Sequence, residues 1–208
     1  MTLICFALKE EAAAFCEAAG ARPDISVLLT GIGKKNAEGA VRKFLVGNTP
    51  KRVFTCGFAG GLDPALQIGE VVFATDDAAL KEKLTAAGTK QAKIHCADRV
   101  AVTIAEKQTL RQNTGADAVE MESEVIQSIC REKGIPCATV RAISDTANDD
   151  MPLDFNALSK PDQSLDLGKL AFALARQPGK IPALLRLQKN CQLAAQRLAA
   201  VLDKVTAK

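Results

Sequence analysis

Short apolar runs alternate along the chain with segments in which apolar residues recur every three or four positions. The apolar runs predict β-strands at residues 3–7, 25–29, 53–56, 71–74 and 137–143. The periodic segments predict helices at residues 9–19, 35–45 and 122–133. Between the third and fourth strands we expect a glycine-rich connection at 57–61. This alternation is typical of an α/β domain with a largely parallel sheet.

Composition narrows the class of protein. The chain has 208 residues, of which 48% are hydrophobic and 25% charged, so we expect one globular domain over residues 1–208. Its longest stretch without a charged side chain is 53–62, far short of the roughly 20 residues that a membrane span needs. The N-terminal segment lacks the basic region and cleavage site of a signal peptide. We therefore expect a cytoplasmic protein.

Cysteine and histidine usage excludes several chemistries. The chain has seven cysteines, an odd number, without a CxxC pair, and we interpret them as buried free thiols. The single histidine, His95, excludes a multi-histidine metal site, and no metal is expected. The chemistry must therefore use carboxylates, backbone groups and basic side chains.

The C-terminal segment is strongly basic. Residues 169–208 contain eight basic side chains and one acidic one, Asp203. A helix at about 180–205 is predicted by an apolar stripe formed by Leu184, Leu187, Cys191, Ala194, Leu198, Leu202 and Val205. This basic amphipathic helix has two interpretations: it covers the edge of the sheet, or it binds an anionic membrane surface or a partner.

Two glycine-rich segments indicate close backbone approach. In the turn Gly31-Ile32-Gly33, between a strand and a helix, backbone N–H groups can face an anion or a sugar, although a simple tight turn is the alternative. The segment around Phe58 has so little side-chain bulk that its backbone must pass close to another group.

Charged residues gather at the end of the last predicted strand. Ser144 and Asp145 end that strand and Arg141 lies within it, while Glu120 and Glu122 flank a methionine at the start of a helix. Ligands of open α/β sheets bind beyond the carboxyl ends of the strands, so a site is expected here. Helix or turn capping by the aspartate is the alternative.

Four motifs, GIGKKNA, GFAGGL followed by IGEVV, VEMES and VRAISDTAND, occur in this order up to Asp149. Together they resemble the nucleoside phosphorylase and nucleosidase superfamily, which includes purine nucleoside phosphorylases and methylthioadenosine/adenosylhomocysteine nucleosidases. The resemblance implies a three-layer α/β/α fold with a central twisted mixed sheet, a homo-oligomer, and cleavage of an N-glycosidic bond. Residues 151–187 resemble the hopanoid-associated phosphorylase subgroup, whose implied substrate is adenosylhopane.

The resemblance assigns roles to residues on the base and sugar sides. Asp145 matches the acid that protonates or hydrogen-bonds N7 of the purine, and Ser144 would orient its carboxylate. Glu122 matches the carboxylate that accepts the ribose 2′- and 3′-hydroxyls. Met121 would pack under the sugar, and Phe58 would also contact the substrate.

The resemblance also implies a pocket for the nucleophile. Glu11 aligns with the glutamate that orients the attacking water, and the adjacent Glu10 is the alternative. The pocket for phosphate or water would be lined by Gly31, Gly57, Arg141 and Glu120.

Two departures from the family pattern leave questions open. Phe58 occupies the place of a serine or threonine that touches the nucleophile or the sugar, so hydrolysis and phosphorolysis both remain open. The aromatic residue that stacks on the base is absent, and Arg99 or Val100 would cover the purine instead.

The leading prediction is an enzyme that releases adenine from a 5′-modified, adenosylhopane-like nucleoside. A methylthioadenosine/adenosylhomocysteine nucleosidase and a noncatalytic nucleoside-binding protein are the alternatives. No cofactor is expected apart from inorganic phosphate as a co-substrate, and no nucleic acid partner. A lipid-linked substrate would suit contact of the basic helix with the inner face of the membrane.

Overall fold

The computed structural model describes residues 1–160 and 166–207. The described part contains eight strands, and these are β1 Thr2–Phe6, β2 Ile25–Leu29, β3 Arg52–Gly61, β4 Val71–Thr75, β5 Lys90–Gln91, β6 Ile94–Cys96, β7 Ala118–Glu120 and β8 Cys137–Asp145. It also contains one 3-10 helix, Pro178–Lys180, and seven α-helices, which are α1 Lys9–Ala19, α2 Lys34–Phe44, α3 Ala78–Ala86, α4 Ile104–Thr114, α5 Ser123–Glu132, α6 Leu167–Arg176 and α7 Ile181–Thr206. Residues 161–165 belong to segment 151–187, which resembles the hopanoid-associated subgroup, and residue 208 belongs to the basic segment 169–208. Residues 161–165 and 208 lie outside the described residues.

One mixed sheet forms the centre of the molecule. Its main path is β2-β1-β3-β8-β4-β5, and β7 pairs with β3 and carries β6. The pairs β1/β2, β1/β3 and β3/β8 are parallel, whereas β4/β8 and β3/β7 are antiparallel. The predicted central mixed sheet is therefore confirmed.

Helices cover both faces of this sheet. Alternate residues of a strand point to opposite faces, so Ile4 and Phe6 of β1 pack with α1, α3 and α7, while Leu3 and Cys5 pack with α2 and α5. This arrangement is the expected three-layer α/β/α fold. All seven cysteines are free, but the prediction that they are buried holds only for Cys5, Cys56 and Cys130. Three others are half-buried, and Cys16 is exposed.

Strand β3 continues through the glycine-rich segment. The prediction that residues 57–61 form a connection after a strand ending at residue 56 is wrong, because residues 57–60 pair with β8 in the register Gly57↔Arg141 and Gly60↔Asp145, and Gly61 pairs with β7. A register irregularity lies between Ala59 and Gly60. The glycines thus allow the backbone of β3 to pass close to charged side chains.

Three helices were not predicted, α3, α4 and α6. The capping residue of α3 was the overlooked signal, because the side chain of Asp77 accepts the N–H of Leu80 at 2.8 Å.

Helix α7 agrees with the predicted basic helix, but its two halves differ. Leu198, Leu202 and Val205 join the core and cover a face of the sheet, rather than its edge. In the first half, the side chain of Leu185 is 52% exposed, and α6 before it buries no residue. No helix in the described part is long and apolar enough to cross a membrane.

Candidate active site

Glu11 reaches the centre of the site from the first turn of α1. Its Oε2 accepts the N–H groups of Ala7 (3.0 Å) and Leu8 (2.9 Å), and its Oε1 accepts that of Phe58 (2.8 Å). Burial raises the pKa of Glu11 above its ordinary value, although Arg141 and the three N–H groups oppose this shift. Of the two candidate glutamates, Glu11 is thus the buried one, and Glu10 is exposed.

Gly57 allows this carboxylate to lie against β3. A Cβ at this position would stand 2.5 Å from Glu11 Oε1 and 3.0 Å from Arg141 Nη1. Any side chain at residue 57 would therefore displace the glutamate or the arginine.

Arg141 projects from β8 into a group of acids and is 1% exposed. Its Nη2 donates to Glu120 Oε2 and, at 3.2 Å, to Thr55 Oγ1, and it lies 3.7 Å from Glu122 Oε2. Burial lowers the pKa of Arg141, but Glu120, Glu122 and Glu11 raise it more, so the guanidinium stays charged. Its Nε atom has no partner within the described residues.

The two glutamates of the helix entry have different surroundings. Glu120 also accepts hydrogen bonds from Ser123 Oγ (2.7 Å) and from the backbone N–H groups of Glu122 (3.1 Å) and Ser123 (2.9 Å). Glu122 Oε1 accepts one backbone N–H, that of Gly33 at 2.8 Å. Burial, together with Glu120, raises the pKa of Glu122 to about 7. Glu120 therefore anchors Arg141, whereas the second oxygen of Glu122 is available to a ligand.

Asp145 is held by two donors at the end of β8. Ser144 Oγ donates to its Oδ1 at 2.8 Å, the contact that the family resemblance implies. Lys107 Nζ donates to its Oδ2 at 2.5 Å. Gly60 lies beside this carboxylate, since a Cβ there would stand 3.1 Å from Oδ2.

Comparisons with known proteins assign the family. The model of the family described as the Phosphorylase superfamily matches residues 12–93 and 77–207. The chain belongs to this superfamily. The predicted family is thus confirmed, whereas the hopanoid-associated subgroup stays a prediction.

Two sequence relatives of this superfamily member have the same name. The chain is 26% identical over 169 residues to a 5′-methylthioadenosine/S-adenosylhomocysteine nucleosidase of Shewanella oneidensis. The alignment covers 64% of this chain and 72% of that protein. The chain is 28% identical to a protein of the same name from Actinobacillus succinogenes, over 71% of this chain and 80% of the relative.

Solved structures of the superfamily share the fold. A futalosine hydrolase mutant of Helicobacter pylori has a TM-score of 0.70 at 19% identity and covers 97% of this chain and 98% of its own. The 5′-methylthioadenosine/S-adenosylhomocysteine nucleosidase of the same organism, with butyl-thio-DADMe-Immucillin-A, has a TM-score of 0.73 at 18% identity, with coverages of 98% and 96%.

Other predicted site residues of this superfamily chain take different places. Gly33, not Gly31, is the turn residue that donates to Glu122, and Gly31 packs beside Asn36. Phe58 contributes its backbone N–H to Glu11 and packs its half-buried ring against the core. Met121 is half-buried between the two glutamates.

Arg99 and Val100, proposed to cover the base, line a surface cavity of about 710 Å³. Val100 is tied to Asn156, whose Oδ1 accepts its N–H at 2.9 Å, and Arg99 pairs with Glu106. Glu11, Arg141 and Asp145 do not line this cavity. The role of Arg99 and Val100 therefore stays a prediction.

Lys107 is the site residue that sequence reasoning missed. It lies in α4, a mostly polar helix, and is the one residue of this helix that is fully buried. Its position within EKQTL carries no motif, so only its burial beside Asp145 identifies it.

Proposed function

We propose that this chain is an enzyme that hydrolyses the N-glycosidic bond of an adenine nucleoside modified at its 5′ carbon. Superfamily membership and the nucleosidase names of the sequence relatives support this class of reaction. The charge balance around Arg141 supports water, rather than phosphate, as the nucleophile.

Three carboxylates, those of Glu11, Glu120 and Glu122, surround the single guanidinium of Arg141. A bound phosphate would add negative charge to a buried site in which the carboxylates already oppose one another's ionisation, since Glu120 and Glu11 both raise the pKa of Glu122. Two like charges 4 Å apart repel by about 4 kcal/mol at an effective dielectric constant of 20. A neutral water molecule avoids this repulsion, and the same acidic excess stabilises a positively charged sugar in the transition state.

The proposed reaction follows from the position of each group. Glu11 orients a water molecule toward C1′ and takes its proton, and its raised pKa suits a general base. Glu122 accepts the vicinal hydroxyls of the ribose through its available oxygen. Asp145 faces N7, so that adenine leaves with a proton on its ring while water supplies the hydroxyl on C1′.

The test measures adenine release with and without phosphate. We expect release in phosphate-free buffer, with a free sugar as the second product. Glu11→Gln should lower kcat by about 100- to 10,000-fold, since it removes the general base. The matched control Glu10→Gln changes the adjacent exposed carboxylate and should keep native kcat.

Two outcomes would contradict the proposal. Strict dependence on phosphate, with a sugar 1-phosphate as product, would establish phosphorolysis. Tight nucleoside binding with no release of adenine would favour a noncatalytic nucleoside-binding protein.

The 5′ group is proposed to be a large apolar one, as the hopanoid-type resemblance predicts. The support is a surface of α6 and the first half of α7, here called the basic-apolar face. It exposes four large apolar side chains and five basic ones, which are Leu167, Phe172, Ile181, Leu185, Lys169, Arg176, Lys180, Arg186 and Lys189. Exposed apolar side chains rimmed by cations suit an anionic lipid surface, where each cation contributes about 1 kcal/mol. The enzyme would then act peripherally at the inner face of the membrane.

Co-sedimentation with vesicles containing phosphatidylglycerol tests this face. We expect binding at low salt, loss at high salt, and loss in the Arg176→Glu, Lys180→Glu double variant, while adenine release from soluble nucleosides is retained. A strong preference for 5′-methylthioadenosine over nucleosides with long alkyl 5′ groups, without vesicle binding, would favour the ordinary methylthioadenosine/adenosylhomocysteine nucleosidase.

A further inference from the structure

Asp145 cannot donate a proton while it is ionised, and the structure places an ammonium group against it. Lys107 Nζ lies 2.5 Å from Asp145 Oδ2, and both side chains are buried. An ionised carboxylate has only acceptor oxygens, so a proton for N7 of the base must come from a neighbouring group.

Three oxygen atoms surround the ammonium group of Lys107 and accept its hydrogen bonds. Besides Asp145, Nζ donates to the carbonyl oxygens of Thr146 (2.6 Å) and Asp149 (2.9 Å), so all three of its hydrogens have acceptors. Lys107 is 1% exposed, and a lysine is seldom buried unless it is paired.

The backbone around this pair is itself tied to α4. The N–H of Ile104 donates to Asp150 Oδ1 at 2.7 Å, and the N–H of Met151 donates to the carbonyl of Val102 at 2.8 Å. The start of α4 and the segment that follows β8 therefore hold Lys107 and Asp145 in one geometry.

Building on the proposed function, we propose that Lys107 is a positioning residue that acts through Asp145 and supplies the proton that Asp145 passes to N7. As the C1′–N9 bond breaks, its electron pair moves into the purine ring and N7 becomes basic. Asp145 gives N7 a proton and receives one from Lys107, which becomes a neutral amine. Adenine leaves neutral, and water adds to C1′ and loses a proton to Glu11. Glu11 then releases this proton to solvent, and solvent returns a proton to Lys107, so both groups regain their starting state.

The competing explanation is that Lys107 and Asp145 form a purely structural ion pair between α4 and β8. A substrate whose leaving group needs no proton distinguishes this explanation from the proposed proton supply. A 4-nitrophenyl riboside with the same 5′ substituent departs as a stable phenolate without protonation. Loss of proton supply should slow adenine release but spare this substrate, whereas a distorted site should slow both.

Lys107→Arg is the main variant, because arginine keeps the positive charge but is not deprotonated in proteins. We expect kcat for adenine release to fall by about 100-fold, with KM and 4-nitrophenyl riboside cleavage within about 3-fold of native. Lys107→Met, which removes the cation, should show the same selective loss. The control Arg111→Met removes another ion pair of α4, to Asp63, and should leave both rates unchanged.

Binding of adenine and of 7-deazaadenine, which lacks N7, tests the pair without turnover. Native protein should bind adenine at least about 10-fold more tightly, and Lys107→Arg should lose this preference. Equal loss of both rates, or native adenine release in either Lys107 variant, would overturn the inference. If native protein releases adenine from no nucleoside, the proposed function fails, and the binding preference still decides on the Lys107–Asp145 pair.

Discussion

Two sets of buried charged side chains lie toward the carboxyl ends of β3 and β8, and they differ in their ratio of acidic to basic residues. The nucleophile-side cluster contains Arg141 with Glu11, Glu120 and Glu122, whereas the leaving-group-side pair contains Lys107 and Asp145. The first has an excess of acids and the second is balanced. An acidic excess suits water and a positively charged sugar, while a balanced pair can move a proton without leaving a net buried charge.

Removing the single cation of the nucleophile-side cluster should have the largest effect. In Arg141→Met three buried carboxylates lose their counter-ion, so we expect the free energy of unfolding to fall by about 3–5 kcal/mol, together with loss of activity. Urea denaturation measures this change. The control Arg42→Met breaks exposed ion pairs to Glu38 and Glu132 and should leave the free energy of unfolding close to the native value. An equal loss of stability in both variants would contradict the role of burial.

Crowding the same cluster should impair catalysis. Gly57→Ala places a methyl group against Glu11 Oε1, and we expect the displaced carboxylate to lower kcat by about 100-fold. Gly39→Ala, in α2, has open space around its Cβ and should keep native kcat, with a slightly higher melting temperature. A native kcat in Gly57→Ala would show that Glu11 need not be placed so closely.

The acidic excess also predicts how stability depends on pH. Because folding raises the pKa of Glu122 from 4.5 to about 7, the folded protein favours the protonated carboxyl. Its contribution is full below pH 4.5 and is lost as the pH rises through about 7. Relative to Glu122→Gln, native protein should thus lose roughly 2–3 kcal/mol of unfolding free energy between pH 5 and pH 8.

Chemical denaturation at several pH values measures this difference. Glu17→Gln, at the exposed surface of α1, should follow the native pH dependence. Parallel curves for native protein and Glu122→Gln would contradict the assigned shift.

The smallest effect is expected for the Ser144 hydroxyl that contacts the leaving-group-side pair. Ser144→Ala removes one hydrogen bond to Asp145, which Lys107 still holds, so we expect about a 5- to 10-fold loss of kcat, corresponding to about 1 kcal/mol. Steady-state kinetics of adenine release checks this value. Ser159→Ala, whose hydroxyl bonds the carbonyl of Phe155 at 2.7 Å, is the control and should be neutral.

Sequence motifs predicted the residues of the nucleophile-side cluster, but of the leaving-group-side pair they predicted only Asp145. Arg141, Glu122 and Asp145 stand in recognisable segments of the sequence, and the structure brings them to one end of β8 and the start of α5. Lys107 stands in a polar helix with no motif. Its burial depends on where α4 meets the segment after β8, a contact between distant parts of the chain.

Local pattern determined the longer strands, four of the helices and the family of this protein, because alternating apolar runs and short motifs are properties of neighbouring residues. The choice between Glu10 and Glu11, the continuation of β3 through its glycines, and the different exposure of the two halves of α7 were decided by tertiary structure. Each of these depends on what packs against a residue from elsewhere in the chain. Burial and charge pairing arise from such contacts, and they set the chemistry of the site.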